Sequence, residues 1–530
     1  MASRFDVIVV GTGFGGAPVA CRLAEAGARV LVLERGRRWT PGTYPRAVGD
    51  AWLYHPDSPA RHNGWLDVRF MHGMAVAQGA GVGGGSLCYS SVVMEADASR
   101  FAEGWPPEVT HTALAPYYEK ARTMLRPASI PAGQQTARYQ LLQRAAKRLG
   151  YGERFESVPL AISFDPTYSY DLPEPLDARH SKRFVNDHGV EQGTCVHLGN
   201  CDIGCDVRAK NSLDVNYLAT AERRGADLRS LHLVRAVVPR GTQYRVVWDE
   251  IRNGALVAGS AEAERVVLAA GSLGSTELLL RCRDEHHTLP AVSQRLGMQW
   301  SANANFLAPA VYPKSVAVRQ GIGPTISSGL NFLDGSRGGE RFFVEDDGFP
   351  NLLLNAIRAR IQASPAGVLA GLFERWARRG LDEKNPAEQV MMWLGEGLDA
   401  ADGRLYLGRR LLAPWRRTLQ LARGTPRSRA VIDAIIAVHR ELSTVEGGRL
   451  RVPVYWTLFR SLVTVHPLGG CAMGQGPHDG VVDHRGEVFG HPRLYVADGA
   501  LLPRPTGRNP SLTICALGER IADLMIRARA

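Results

Sequence analysis

The sequence predicts a mixed α/β fold in which a Rossmann-like nucleotide-binding domain is interrupted by a second domain, built on a β-sheet covered by helices. Three observations predict it. An apolar strand, Val7 to Val10, ends in a glycine cluster that opens a small-residue helix, and a second strand closes on Glu34. The segment Arg265-Val-Val-Leu-Ala-Ala-Gly-Ser-Leu-Gly repeats the order strand, glycine turn, helix. From about Asn303 to Phe459 the pattern changes to mixed strands and helices, and two short glycine- and proline-bearing stretches follow.

In the opening βαβ unit Gly11 permits the tight turn, Gly13 lets the backbone approach a pyrophosphate, and Gly16 lets helix sit close on strand. Gly15 belongs to the same turn, whose helix N-terminus offers N–H groups to phosphates. Glu34 lies 18 residues beyond Gly16, where a carboxylate accepts from ribose hydroxyls. The spacing predicts a dinucleotide and leaves FAD and NAD equally open.

Residues 37 to 78, rich in Pro, Gly, Trp and His, read as a long loop across the front of this domain. Five glycines follow within Gly79 to Gly85. Such density marks a flexible linker or a backbone pressed against a flat or anionic ligand. Leu87, Cys88 and Tyr89, which follow at once, favour ligand contact. Helices are predicted over 112–127 and 136–149, each ended by Pro or Gly, and strands over 150–186. Then come a helix over 210–224, a strand over 231–238, and strands 244–248 and 254–258 about the Asn253-Gly254 turn. The later domain is predicted to hold strands near 306–334 and helices near 351–380 and 428–442. Its segment Ala363 to Gly380 reads as an amphipathic core helix or as a membrane lid.

The 530 residues are 45% hydrophobic and 22% charged, an ordinary globular composition with material for a large core and two or three domains. No apolar run reaches the ~18 residues of a membrane span. The start passes directly into the first strand without secretory features, so a cytoplasmic location is expected. A formal charge of +11 is concentrated between Arg409 and Arg429, where Trp415 stands among the arginines. That stretch reads as a solvated arginine face, with peripheral contact to an anionic membrane as the alternative, and no nucleic-acid motif accompanies it. Cys195, Cys201 and Cys205 cluster near His197, as buried free thiols or, less well matched in spacing, as a metal or redox site. No metal is assigned.

Near the C-terminus stand His466-Pro-Leu-Gly-Gly-Cys471 and Asp498-Gly499, the latter leading to Asn509-Pro-Ser and a closing helix over 512–526. A histidine held between Pro and a Gly-Gly turn suits a ring whose orientation matters. Taken alone, His466 reads as a core histidine and Asn509 as a helix cap.

Together, the N-terminal glycine turn with Glu34, Gly81-Val-Gly-Gly-Gly-Ser-Leu, Ala269-Ala-Gly-Ser-Leu-Gly-Ser-Thr-Glu-Leu-Leu, His466-Pro-Leu-Gly-Gly-Cys and Asp498-Gly with Asn509-Pro-Ser-Leu-Thr-Ile resemble the glucose-methanol-choline (GMC) oxidoreductase family. Asn200-Cys-Asp-Ile-Gly-Cys-Asp-Val-Arg-Ala-Lys-Asn-Ser-Leu resembles its bacterial cholesterol oxidase branch. The resemblance implies an FAD enzyme that oxidises a bulky apolar alcohol, sterol-like, with oxygen or another acceptor taking the electrons. It implies that His466 positions the hydroxyl and assists proton removal, that Asn509 orients substrate beside the flavin edge, and that Glu345 moves a proton when a 5-ene ketone isomerises. Read from its neighbours, Glu345 is equally a solvated turn acid. FAD contacts carry over to Gly11, Gly13, Gly15, Gly16, Glu34, Gly83, Gly84, Ser86, Val237, Asp498, Gly499 and Asn509. The implied organisation is an FAD-binding domain over 1–150, 191–302 and 461–530, with a substrate domain over 151–190 and 303–460. Where some cholesterol oxidases have Asn-Gly-Gly, this chain has Tyr89-Ser-Ser. Two further functions stand beside alcohol oxidation: other flavin chemistry such as fatty-acid decarboxylation, and a non-catalytic flavin- or lipid-binding protein.

Overall fold

A computed structural model describes residues 4–47, 49–350, 388–410, 413–422 and 427–528. The predicted helix near 351–380, with its core or lid alternatives, falls outside the described residues.

The first sheet runs in the order His232–Arg240, Gln243–Arg252, Ala255–Leu268, Arg4–Val10, Val30–Leu33, Asp227–Arg229. Its parallel centre is buried on both faces, with Ile8, Val9, Leu31, Val32, Val266 and Val267 all at 0% exposure, as the unbroken apolar runs require. The two strands expected around 254–268 are one strand, Ala255–Leu268. Its first part pairs antiparallel with Gln243–Arg252 and its last part parallel with Arg4–Val10. Where Gln243–Arg252 ends, Leu494–Val496 takes over the same strand's edge and brings the C-terminal segment into the sheet. The hairpin turn has Asn253 at φ 50° and Gly254 at φ 76°, the left-handed pair that a two-residue turn demands.

Helix Gly16–Glu25 is faced by the closing helix Ser511–Arg527. An ion pair, Arg22 to Glu519 at 2.8 Å, joins them, and Tyr217 Oη donates to Glu519 at 2.7 Å.

A second, antiparallel sheet runs Arg449–Leu450, Phe306–Val311, Val390–Gly397, Phe342–Asp347, Ser328–Asn331, Phe155–Ser157. Helices Arg429–Val445 and Ala137–Arg148 pack on it. The alternation of Phe342–Asp347 against Val390–Gly397 places Phe343, Glu345, Leu394 and Glu396 on one face.

Several expectations are corrected. Residues 37–78 are not a continuous loop. Leu66–Met71 and Met74–Gly79 form a hairpin about Gly73 (φ 64°), joined by Leu53–Tyr54 and Leu462–Thr464. The expected helix over 210–224 shrinks to Tyr217–Arg223, because Asn216 caps Tyr217 N–H and the residues before it are drawn into tertiary contacts. Among these, Leu213 N–H donates to Ser86 Oγ, and Lys210 Nζ donates to the carbonyls of Leu87, Tyr89 and Cys201. The basic stretch folds as the strands Arg404–Arg410 and Ala413–Ala422, with Trp415 at 83% exposure and Arg416 paired to Asp57 at 2.7 Å. Among the described residues no helix is long and apolar enough to cross a membrane.

Candidate active site

The glycine turn is built from contacts that exclude side chains. At Gly11 (φ 102°) a Cβ would lie 2.2 Å from Ala269 O, at Gly15 1.4 Å from Ala497 O, and at Gly16 2.2 Å from Gly11 O. These three glycines let the helix, its strand and the returning C-terminal strand touch. Gly13 differs: a Cβ there meets nothing within 4 Å. The second glycine cluster lies on the first, since a Cβ on Gly84 (φ 54°) would reach 2.6 Å from Gly13 Cα. Thr12 ties the two together, accepting from Gly83 N–H at 3.0 Å and donating to Glu34 at 2.6 Å.

From this turn a cavity of about 810 Å³ extends to the C-terminal constellation. Its wall carries Gly11, Gly13, Gly15, Glu34 and Gly84 together with Asp498, Gly499, His466 and Asn509. Glu34 is 5% exposed and receives Thr12 N–H at 3.2 Å and Gly36 N–H at 2.9 Å. Asp498 receives Ala500 N–H, Gly271 N–H and Ser275 Oγ at 2.7, 2.9 and 2.5 Å, and burial raises it to about 6. A long cavity with bare backbone at Gly13 and a carboxylate beside a strand end fits a dinucleotide.

Other expected contacts are placed elsewhere. Gly16 packs helix on strand, as expected, away from the cavity wall. Gly83 also stays off the wall and acts through Thr12. Ser86 is fully buried, donating to Gly83 O at 2.7 Å and accepting from Leu213 N–H at 3.0 Å, so its hydroxyl fastens the loop. Val237 is also fully buried, with its N–H on Cys282 Sγ at 3.3 Å, and Val234 and Arg235 line the wall in its stead. A bulge between Val234 and Ala236 shifts this strand's facing, which a strict period of two does not anticipate.

His466 and Asn509, 43 positions apart, meet on one wall because their segments are bonded together. Gly469 N–H donates to Gly499 O at 2.8 Å and Cys471 N–H to Ala500 O at 2.9 Å. His466 Nδ1 lies 3.1 Å from Asn305 Nδ2 and 3.0 Å from Glu396 Oε2. Asn305 Oδ1 accepts from Val465 N–H at 3.2 Å, which turns its NH2 toward the ring. Nδ1 is therefore an acceptor, and the neutral ring carries its proton on Nε2. Burial pushes His466 down to about 4.

Glu345 is fully buried in its strand, which excludes the solvated reading. It accepts from Asn509 Nδ2 at 3.3 Å, and burial together with Glu396 raises it well above the carboxylate range. Glu396, Asn303 and Asn305 were not expected from the sequence. A lone acid inside Met391-Met-Trp-Leu-Gly-Glu-Gly was the available signal for Glu396. Beyond His466 and Asn509 the wall is apolar at Leu307, Ile326, Phe349, Leu394 and Val465, with Asp202 and Asp347 among them.

The cysteines near 200 are free thiols. His197 uses both ring nitrogens, on Gly323 O at 2.6 Å and Gln134 Oε1 at 3.1 Å, and stacks on Tyr168.

Comparison with known proteins agrees with this geometry. Family models described as GMC oxidoreductase match residues 185–315 and 453–518, and one described as an NAD(P)-binding Rossmann-like domain matches 9–61. The chain is 28% identical to a cholesterol oxidase of Mycobacterium tuberculosis over 99% of its own length and 91% of that protein. It is also 28% identical to a cholesterol oxidase of Acinetobacter baumannii, over 97% and 93%. Among solved structures, a formate oxidase superposes with TM-score 0.64 at 15% identity, covering 100% of this chain and 99% of that one. A pyridoxine 4-oxidase from Mesorbium loti superposes with TM-score 0.63 at 17% identity, covering 98% and 99%. The chain thus matches GMC oxidoreductase models over two stretches, is similar to cholesterol oxidases over nearly its full length, and has FAD as its cofactor.

Proposed function

We propose that this flavoprotein oxidises the CH–OH group of a bulky, mainly apolar alcohol of the sterol or 3-hydroxysteroid class to a ketone. The observation that carries the reading is the continuity of one cavity from Glu34 and the glycine turn to His466 and Asn509, and onward to the wall of Leu307, Ile326, Phe349 and Leu394. Bound FAD supplies the hydride acceptor. The protein's part is to place the hydroxyl against His466 Nε2, to orient the carbinol carbon with Asn509, and to exclude water with the apolar wall. Glu345, a buried acid linked to Asn509, is suited to carry a proton between carbons of a 5-ene ketone.

The test is an anaerobic screen of sterols, aliphatic alcohols, sugars and fatty acids, following bleaching of the flavin band. Bleaching by sterols with ketone formation is expected, and His466→Ala is expected to slow it by about 10²-fold or more. Bleaching by other substrates with sterols inert would overturn the substrate class. Undiminished bleaching in His466→Ala would overturn the residue's role. Repeating turnover with dissolved oxygen and with an artificial dye identifies the electron acceptor.

A further inference from the structure

Glu396 sits behind the proposed catalytic histidine with nothing in the sequence motifs to mark it. It is fully buried on the strand Val390–Gly397, and its Oε2 is 3.0 Å from His466 Nδ1. The same oxygen accepts from Asn303 Nδ2 at 3.2 Å. Asn303 is itself oriented by Gly507 N–H, which donates to its Oδ1 at 2.9 Å. The Asn509 backbone N–H also bonds to Glu396, so one carboxyl braces both members of the His466 and Asn509 pair.

The hydrogen bonds around His466 define where the proton is. Asn305 presents its NH2 to Nδ1, so a proton on Nδ1 would face another donor. An ionised Glu396 would face an unprotonated nitrogen at 3.0 Å, an equally poor contact. The carboxylate–nitrogen conflict is removed if Glu396 carries a proton and donates it to Nδ1, sharing that nitrogen's single lone pair with the Asn305 NH2, while the ring proton sits on Nε2. Burial, which raises Glu396 to about 8, favours that form. The charged groups facing Glu396 are Glu345 on the adjoining strand, His466, and Arg508. The Arg508 guanidinium lies over Phe343 and is engaged with Glu156 at 3.2 Å.

We propose that Glu396 and His466 act as one proton-holding pair, and that the arrangement seen is its loaded state. In the unloaded state the proton on the ring is at Nδ1, donated to the Glu396 carboxylate, and Nε2 is open to the alcohol. In turnover the alcohol O–H bond breaks and Nε2–H forms, while Nδ1–H breaks and the Glu396 Oε2–H bond forms. The two electrons leave with the hydride that passes to the flavin. His466 thus begins and ends neutral, and Glu396 holds the proton. Glu396 is a positioning residue, since it acts through His466, and the inference rests on the alcohol-oxidase reading above.

The test is anaerobic flavin reduction by a saturating alcohol from about pH 6 to about pH 10 in wild type, Glu396→Gln and Glu396→Asp. The wild-type rate is expected to rise with pH and to level off, with its midpoint near 8, where the pair unloads. Glu396→Gln presents a permanent donor to Nδ1 and locks the Nε2–H form, so its rate is expected to fall about 100-fold and lose that midpoint. Glu396→Asp is expected to keep a midpoint, displaced. A second readout needs no turnover: the ¹⁵N signals of His466 in histidine-labelled holoenzyme, assigned with His466→Asn, should change tautomer with the same midpoint in wild type and stay fixed in Glu396→Gln. An unchanged midpoint or an undiminished rate in Glu396→Gln would overturn the pair. If no alcohol reduces the flavin the functional reading fails, while the ¹⁵N titration still decides whether the pair exists.

Discussion

Gly13 and Gly15 stand two residues apart in one turn, yet alanine is expected to act oppositely at each. At Gly13 the added Cβ meets nothing within 4 Å and the residue lies on the cavity wall. Its φ is outside the left-handed region, so alanine fits the backbone. The folded apoprotein should keep its stability or gain about 0.4–1 kcal/mol from a stiffer unfolded chain. The methyl group, however, takes space that a pyrophosphate needs. Overpacking of that kind costs about 1–3 kcal/mol, or about 5- to 150-fold in flavin dissociation constant. At Gly15 the Cβ would sit 1.4 Å from Ala497 O, backbone immovable without shifting the strand end that carries Asp498. Gly518 of the closing helix presses on the same point, its own Cβ position 2.8 Å from Gly15 O. The cost there falls on folding and should reach about 3 kcal/mol or more. Urea unfolding of the apoprotein and fluorescence titration with FAD separate the two effects. Unweakened flavin binding in Gly13→Ala, or a wild-type midpoint in Gly15→Ala, would refute the division of roles.

Further outcomes follow from buried charge. His439 lies fully buried between Phe306 and Trp393, with neither ring nitrogen hydrogen-bonded among the described residues, and burial pushes it down to about 3. His439→Leu should stabilise the protein by about 1–3 kcal/mol. The unfolded chain takes up a proton near 6.5 and the folded one only near 3, so wild-type stability drains as pH falls across that window. The gain in urea midpoint should therefore be larger at about pH 5 than at about pH 7.5. Arg22→Met leaves Glu519, 0% exposed, without its cation and should cost about 3 kcal/mol near neutral pH. Acid should recover part of that loss. Glu345→Gln should leave flavin reduction by saturated alcohols within about tenfold while conjugated-enone absorbance from a 5-ene substrate appears about 10²-fold more slowly; equal enone formation would remove Glu345 from that role.

Much of the nucleotide domain is legible in the chain because local rules suffice there. The strand, turn and helix from Arg4 to Glu25 follow from apolar run length and glycine placement, and Asn253-Gly254 specifies its hairpin by left-handed φ alone. The failures share a cause. Residues 66–79 hide their alternation among Gly, Trp and His, and form strands because Leu462–Thr464 pairs with them from nearly 400 positions away. Residues 210–216 have helical spacing, yet Lys210 and Leu213 are claimed by the loop at 86–89.

The active site divides along the same line. His466, Asn509, Glu34 and Gly13 are cavity-wall residues that the chain proposes by itself, since each sits in a short stretch whose backbone demands are local. Glu396, Asn303 and Asn305 could not be proposed in this way, because what makes them matter is that Glu396 and Asn305 lie 3.0 and 3.1 Å from His466 and Asn303 braces Glu396, across strand pairings and a bonded loop, and no spacing along the chain encodes it. Residue types at close range thus set which chemistry is available. The protonation state of the imidazole depends on which groups the packed sheet presses against its far nitrogen, so it exists only in the folded protein.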